Sequence, residues 1–190
     1  MIKSIRIKNF KCFGKKECRI NHLYQFNFIS GKNGTGKTTL LQEIAMQPSK
    51  RAPGLKLNTT RGKPFQGAKF FETGTITDIL LKPFLNSFLM QLYMMTPFDC
   101  ILIDTLESGI HYTSYSYILS GLIEFSIQSN LQIIASTYSR ELVEKAYIIF
   151  KEKNKPFGYV RLEKKENNII PVEYNMECLR ISFENFWEIR

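Results

Sequence analysis

The sequence is constrained most by one glycine-rich stretch, Gly31-Lys32-Asn33-Gly34-Thr35-Gly36-Lys37-Thr38, which fits the pattern G-x-x-x-x-G-K-[ST]. A short apolar segment at 24–30 precedes it and predicts a strand, while leucine and isoleucine at helical spacing predict a helix over 37–46. Between such elements, glycines let backbone N–H groups turn inward and cradle phosphate groups at the positive end of the helix. We therefore predict a P-loop that binds a nucleoside triphosphate.

Three side chains supply the charge chemistry that such a loop needs. Lys37 brings an ammonium group to the β- and γ-phosphates, and Thr38 offers its hydroxyl to Mg²⁺, which prefers oxygen ligands. A carboxylate at the end of a neighbouring buried strand is the expected second protein ligand, and Asp104 follows the apolar run Cys100–Ile103. A strand-end aspartate without a ligand is the simpler alternative for Asp104.

Length and composition predict one globular domain without a membrane segment. Of the 190 residues, 44% are hydrophobic and 23% are charged. No apolar run approaches the roughly 18 residues needed to cross a bilayer, and the first residues lack a signal-peptide core, so we expect a cytoplasmic protein. The net charge of +9 favours polyanionic partners without identifying them. The cysteines lack zinc-site spacing and are expected to be reduced thiols: Cys12, Cys18, Cys100 and Cys178.

The rest of the pattern predicts alternating strands and helices in a single domain over 1–190. Strands are predicted at 2–8 (as a half-buried edge strand), 15–20, 98–103, 131–135, 147–150, 159–163 and 169–174. Helices are predicted at 76–95 with a bend near Pro83, at 113–128 and at 139–146. Prolines, glycines and basic residues predict a basic loop over 48–72, and the portion 147–190 is predicted to be rich in β structure.

Four segments carry a resemblance to a known family: 2–13, 29–41, 102–112 and 133–139. They resemble the motifs of ABC-type, AAA-like ATPases of the RecF, SMC-head and OLD group. The resemblance implies an α/β P-loop NTPase fold with a mainly parallel central sheet, an antiparallel β portion and flanking helices. It also implies that the nucleotide is ATP and that Thr38 and Asp104 hold Mg²⁺. The implied nucleotide-binding residues are Gly31, Lys32, Asn33, Gly34, Thr35, Gly36, Lys37, Thr38 and Thr39.

The sequence departs from this family at two positions. Where the family reads L-I-D-E-x-E-x-G-L-H, residues 102–111 read L-I-D-T-L-E-S-G-I-H. Thr105 therefore replaces the glutamate that polarises the attacking water, and a threonine hydroxyl cannot accept that proton at neutral pH. Tyr138 replaces a histidine that senses the γ-phosphate. Glu107 matches a family glutamate and could partly compensate, although a surface or helix-capping carboxylate is the simpler alternative; the candidate catalytic residues are Glu107, Thr105 and Tyr138.

The resemblance also implies an ATP-dependent homodimer, because family members close over ATP with an LSGGQ-like signature from the partner subunit. Nothing in the sequence spells that signature, and Thr73-Gly74-Thr75 is the only candidate remnant. Gln66 is a weaker candidate for the glutamine that links Mg²⁺ to water. The stretch 50–69 is basic and lacks carboxylates, which suits DNA, although a solvated loop without a specific partner is the simpler alternative.

These observations leave three functional hypotheses open. The leading one is an ATP-binding protein with slow or impaired hydrolysis that acts as a nucleotide-dependent switch. It would work in DNA maintenance or in defence against foreign DNA, together with a separate effector protein. The second is a fully active ATPase that uses Glu107, and the third is a non-catalytic ATP-binding module with a structural or interaction role. A P-loop kinase is a weaker competitor.

Overall fold

The computed structural model describes residues 1–47, 54–59, 65–72 and 98–185. The strands in these ranges are β1 Ile2–Ile7, β2 Cys18–Ile20, β3 Phe26–Ser30, β4 Leu55–Thr59, β5 Ala68–Phe71, β6 Cys100–Ile103, β7 Gln132–Ser136, β8 Gly158–Lys165 and β9 Asn168–Tyr174. The helices are α1 Lys37–Met46, α2 Tyr115–Ser129 (preceded by a 3₁₀ turn at Tyr112–Ser114), α3 Arg140–Glu152 and α4 Met176–Glu184. The predicted helix at 76–95 and the candidate Thr73-Gly74-Thr75 lie outside the described residues.

A six-stranded sheet in the order β5-β6-β7-β3-β8-β9 forms the centre of the fold. All neighbouring strands in it are parallel except β8 and β9, which form an antiparallel hairpin. The carboxyl ends of the parallel strands therefore meet at one edge of the sheet. That edge carries the glycine-rich loop after β3, Asp104 after β6, Thr137 and Tyr138 after β7, and the end of β8.

The central strands are buried on both faces, which explains their nearly continuous apolar sequences. Alternate residues point to opposite faces, so Phe28 and Ile133 belong to one hydrophobic cluster, whereas Ile29 and Ile134 belong to the other. The first cluster packs under α2 and α3, and the second packs under α1 and β1. Each fully buried side chain of this kind contributes about 1.5–3 kcal/mol, so the two clusters hold the loop-bearing edge in place.

The amino-terminal strand lies in the middle of a second, antiparallel sheet, in the order β2-β1-β4. The prediction of an edge strand at 2–8 is therefore wrong: Ile5 pairs with Ile20 on one side and with Leu57 on the other. The buried Gln132 side chain joins the two sheets, since its Nε2 donates to the carbonyl of Ile2 at 2.8 Å. Its Oε1 accepts from the Ile2 backbone N–H at 2.8 Å.

The segment 48–72 is not one loop, because its described parts include β4 and β5. Apolar residues at alternate positions, such as Leu55 and Leu57, pair β4 with β1, and this local alternation outweighs the surrounding prolines and glycines. Lys56 and Lys69 of the predicted DNA-binding stretch lie on these two strands. Lys50, Arg51, Arg61 and Lys63 lie outside the described residues.

The carboxyl-terminal portion contains more helix than its sequence predicted. The predicted strand at 147–150 is wrong, because these residues continue α3 to Glu152. Leu142, Val143, Ala146, Ile149 and Phe150 are its buried residues, and this helical spacing decides against the β preference of the Tyr-Ile-Ile-Phe run. The described part of 147–190 then holds the β8–β9 hairpin and the unpredicted helix α4. The predicted mainly parallel sheet with an antiparallel portion and flanking helices is confirmed.

Candidate nucleotide-binding site

The glycine-rich loop between β3 and α1 depends on glycine at two tightly packed positions. Gly31 has a φ of 139°, and a Cβ there would lie 2.4 Å from the Leu162 carbonyl oxygen. Gly36 has a φ of 88°, and a Cβ there would lie 2.6 Å from the Cys12 sulfur. Any larger residue would meet both backbone strain and a clash, so the loop is held in this curled form by its surroundings.

The Lys37 side chain is buried and folds back over the mouth of the loop. Its Nζ donates to the carbonyl oxygens of Gly31 at 2.7 Å and of Lys32 at 3.1 Å. The ring of Tyr138 covers the same ammonium group, with 3.8 Å between Nζ and the ring centroid. This distance is well inside the range of about 6 Å over which a cation and an aromatic face attract each other.

An oxygen-rich cluster lies beside the first turn of α1. The Thr38 hydroxyl donates to Asp104 Oδ2 at 2.8 Å, although the two residues are 66 positions apart. The Ser136 hydroxyl donates to the other carboxylate oxygen, Oδ1, at 2.6 Å, and accepts from the Thr105 backbone N–H at 2.7 Å. The Asp104 carboxylate is therefore buried and fixed in orientation by residues from α1 and β7.

This donor set fits a magnesium ion that shares its coordination with phosphate and water. Among the residues that the structure describes, no three His, Cys, Asp or Glu side chains form a metal-binding group. The Thr38 hydroxyl and the Asp104 carboxylate converge instead at the amino end of a helix. Mg²⁺ is commonly held in this way by one or two protein oxygens, with the remaining positions taken by phosphate groups and water.

The candidate catalytic residues surround the same edge of the sheet. Thr105 has a φ of 51°, in the left-handed region that β-branched residues rarely adopt. Glu107 Oε1 accepts from the Tyr138 backbone N–H at 2.6 Å, so this carboxylate anchors the segment that carries the ring. The other oxygen, Glu107 Oε2, is buried and has no hydrogen-bond partner among the described residues.

Comparisons with known proteins agree with this architecture. Residues 1–62 match the family described as AAA ATPase domain, and no curated protein sequence gives a significant match. The SMC head domain from Thermotoga maritima superposes with a TM-score of 0.62 at 14% identity, covering 91% of this chain and 98% of that one. The fold is that of an ABC-type P-loop ATPase.

Two further structures share this ABC-type fold. The Smc head domain derived from Pyrococcus furiosus, with an extended coiled coil and bound to the C-terminal domain of ScpA, gives a TM-score of 0.60 at 10% identity. It covers 98% of this chain and 99% of that one. The RNase-L Inhibitor gives a TM-score of 0.54 at 10% identity, covering 98% of this chain and 43% of that one. The resemblance to AAA-like ATPases of the SMC and RecF type, inferred from the motifs, is confirmed.

The structure brings most of the predicted site residues of this ATPase fold together, except for Gln66. Gln66 precedes the amino end of β5, at the opposite edge of the sheet, where its N–H donates to Asp99 Oδ2 at 2.7 Å. His111 is exposed, and its Nδ1 lies 2.9 Å from the Thr113 hydroxyl. Sequence reasoning missed Ser136, whose only signal is a small polar residue at the end of a buried apolar strand.

None of the described helices is long and apolar enough to span a membrane.

Proposed function

We propose that this chain binds Mg-ATP at the glycine-rich loop and acts as a nucleotide-dependent switch with slow or impaired hydrolysis. The observation that carries the proposal is the 2.8 Å contact between Thr38 Oγ1 and Asp104 Oδ2. It unites the hydroxyl at the start of α1 with the strand-end carboxylate beside the Lys37 ammonium. These are the groups that a magnesium-bound triphosphate requires.

Each residue of the site has a stated task in this proposal. The loop amides and the α1 amino terminus bind phosphate oxygens, and Lys37 neutralises charge on the β- and γ-phosphates. Thr38 and Asp104 would hold Mg²⁺, which when bound would supply charge neutralisation for the triphosphate. Ser136 orients the Asp104 carboxylate from the other side.

Slow hydrolysis follows from the proton-accepting groups near the site. Thr105 can position a water molecule through its hydroxyl but cannot accept a proton at neutral pH, so general-base assistance of about 10²–10⁴-fold is missing. One oxygen of Glu107 is already occupied by the Tyr138 backbone N–H. A fully active ATPase is the second candidate, and Glu107 Oε2 favours it, since no hydrogen bond within the described part of the chain occupies this carboxylate oxygen.

A comparison of ATP binding and turnover separates these candidates. Binding is measured by calorimetry with and without Mg²⁺, and turnover by phosphate release, for wild type, Lys37→Ala and Glu107→Gln. Glutamine keeps the oxygen that accepts from Tyr138 but removes the base, and Glu144→Gln on the exposed face of α3 is the matched control. Tight Mg-dependent binding without turnover supports the switch. Turnover that Glu107→Gln abolishes while ATP binding is retained, and that Glu144→Gln leaves unchanged, supports the active ATPase.

The missing glutamate can also be restored. Thr105→Glu introduces the carboxylate that the family carries, and Thr105→Gln introduces the same shape without the base. We expect faster phosphate release in the glutamate variant alone. If folded wild-type protein takes up no ATP with Mg²⁺ present, the proposal fails, and a stability that depends on ATP without turnover points to a structural nucleotide site.

The wider role is part of the same proposal. One similar Smc head structure is bound to a domain of ScpA, which supports a separate effector protein as a partner of this chain. We also propose an ATP-dependent homodimer. We further propose that residues 50–69 contact DNA and that the protein acts in DNA maintenance or in defence against foreign DNA. The proposed location is the cytoplasm. Solution sizing of wild type and Lys37→Ala, with and without Mg-ATP, tests the dimer.

A further inference from the structure

A pocket opens between the glycine-rich loop and β8, and the proposed function assigns no role to the β8 side of this pocket. Its volume is about 440 Å³. One wall is the first half of the loop, Gly31, Lys32, Asn33 and Thr35. The other wall is the carboxyl-terminal part of β8, residues 161–165.

The side chains of the β8 wall alternate in charge on one face of the strand. Arg161, Glu163 and Lys165 are two positions apart and so point the same way. Glu163 Oε1 pairs with Arg161 Nη2, and Glu163 Oε2 lies 3.7 Å from Lys165 Nζ. With Lys32 and Lys164 also in the lining, one carboxylate stands among four cations. Both Glu163 carboxylate oxygens therefore lie beside cations that an anion entering the pocket would also attract.

The loop contacts show which end of a bound triphosphate the pocket adjoins. The lysine of this motif reaches the β- and γ-phosphates. Here Lys37 Nζ lies against the carbonyls of Gly31 and Lys32, which also line the pocket. The terminal phosphate would therefore lie next to the pocket, and the cationic lining suits a second phosphate group there better than an uncharged base.

We propose that this pocket is an additional phosphate-binding subsite between the P-loop and β8, in which Arg161 and Lys165 bind the anion and Glu163 competes with it. Its ligand is a phosphate group next to the γ-phosphate position, supplied either by free orthophosphate or by a nucleic-acid strand. The placement beside the γ-phosphate rests on the proposed function. The subsite itself requires only the β8 side chains and the loop wall.

The subsite is tested by removing its positive charges in one variant and its negative charge in another. Orthophosphate binding is measured by calorimetry, and binding of a labelled single-stranded oligonucleotide by fluorescence anisotropy, both at low ionic strength because salt screens exposed charges. Arg161→Gln with Lys165→Gln is expected to weaken binding about tenfold or more, and Glu163→Gln to strengthen it severalfold. A gain of binding cannot arise from misfolding. The matched control removes the same charge from exposed α3 positions, Lys145→Gln with Lys151→Gln, and is expected to change little.

The outcomes distinguish orthophosphate from a nucleic-acid strand as the source of the phosphate group, and they test the subsite independently of the proposed function. Effects confined to orthophosphate identify a free phosphate, whereas parallel effects on the oligonucleotide identify a nucleic-acid strand. The subsite would be overturned if the α3 control lost as much binding as the β8 double variant, or if only Lys37→Ala removed orthophosphate binding. It would also be overturned if neither orthophosphate nor the oligonucleotide bound to the wild-type protein. Binding of Mg-ATP is also measured by calorimetry for the variant that combines Arg161→Gln with Lys165→Gln. If this variant binds Mg-ATP normally, the proposed function remains supported even when the subsite proposal fails.

Discussion

The Tyr138 ring lies over the Lys37 ammonium at 3.8 Å, and the same Nζ donates to the Gly31 and Lys32 carbonyls. An ammonium group has only three N–H donors, and two of them already point to those carbonyls. A phosphate oxygen that binds Lys37 must therefore compete with the ring face. Tyr138 thus opposes nucleotide entry in the state described here, whatever it does after binding.

Removing the ring is expected to strengthen ATP binding. An exposed or partly desolvated cation–π contact is worth about 0.5–2 kcal/mol, so Tyr138→Ala should lower the Kd for Mg-ATP by roughly twofold to thirtyfold. Tyr138→Phe keeps the aromatic face and should bind like wild type. Calorimetric titration of both variants checks this, and weaker binding by the alanine variant would show that the ring assists the nucleotide.

Ser136 should matter for stability more than an ordinary buried serine. Ser136→Ala leaves one Asp104 oxygen without its donor and the Thr105 N–H without its acceptor, which costs about 2–3 kcal/mol. A Tm lower by roughly 4–12 °C is expected for a chain of this length. Ser126→Ala, which removes one bond from Ser126 Oγ to the Leu131 carbonyl, is the control. An equal loss of Tm in the two variants would mean that the hydrogen bond from Ser136 to Asp104 stabilises the fold no more than an ordinary buried hydrogen bond.

The left-handed backbone at Thr105 should be relieved by asparagine. Non-glycine residues in this region cost about 1–3 kcal/mol, and asparagine tolerates it better than a β-branched residue. Thr105→Asn is therefore expected to raise the free energy of unfolding by about 1 kcal/mol. Thr105→Val keeps the branching without the hydroxyl and should give no such gain. Urea denaturation measures both, and a destabilised asparagine variant would contradict the strain argument.

Alkaline pH should destabilise the fold through buried thiols. Burial raises the pKa of Cys18 from 9.0 to about 12, and the neighbouring Cys12 adds to the effect. Between these values the unfolded chain has lost the proton that the folded chain keeps, so the free energy of unfolding falls as pH rises. One such group gives a slope of about 1.4 kcal/mol per pH unit. Denaturation of wild type and Cys18→Ala at pH 8 to 11 under reducing conditions checks this. An unchanged slope in the variant would assign the effect to other groups.

The sequence was most informative where several local signals agreed. Helix α1 begins at Lys37 and ends at Met46, as predicted, because the glycine pattern, the apolar spacing and the following proline all mark the same bounds. The apolar runs of β6 and β7 likewise indicated strands buried on both faces. Asp104 was identified because a lone carboxylate directly after such a run lies at the carboxyl end of a strand, where parallel sheets bind their ligands.

The contacts that define the site could not be predicted, because they depend on strand order. Ser136 reaches Asp104 only since β6 and β7 are neighbours, with Ile103 opposite Ala135. The ring of Tyr138 reaches Lys37 since β7 also lies next to β3. Neither pairing leaves a trace in local composition. The role of β8 in the pocket could not be predicted for the same reason, because the sequence of Arg161, Glu163 and Lys165 is that of an ordinary solvated strand.

The packing of Cys12 against Gly36 offers an experimental handle. Cys18 and Cys100 are buried, Cys12 is half-buried, and Cys178 is exposed. With Cys178 replaced by serine, Cys12 becomes the most accessible cysteine, and its sulfur packs against Gly36 of the glycine-rich loop. An environment-sensitive dye attached there would sit outside the phosphate cradle yet beside its backbone. Its emission would report nucleotide binding and release in real time, and the labelled residue is not one of those proposed to contact the nucleotide.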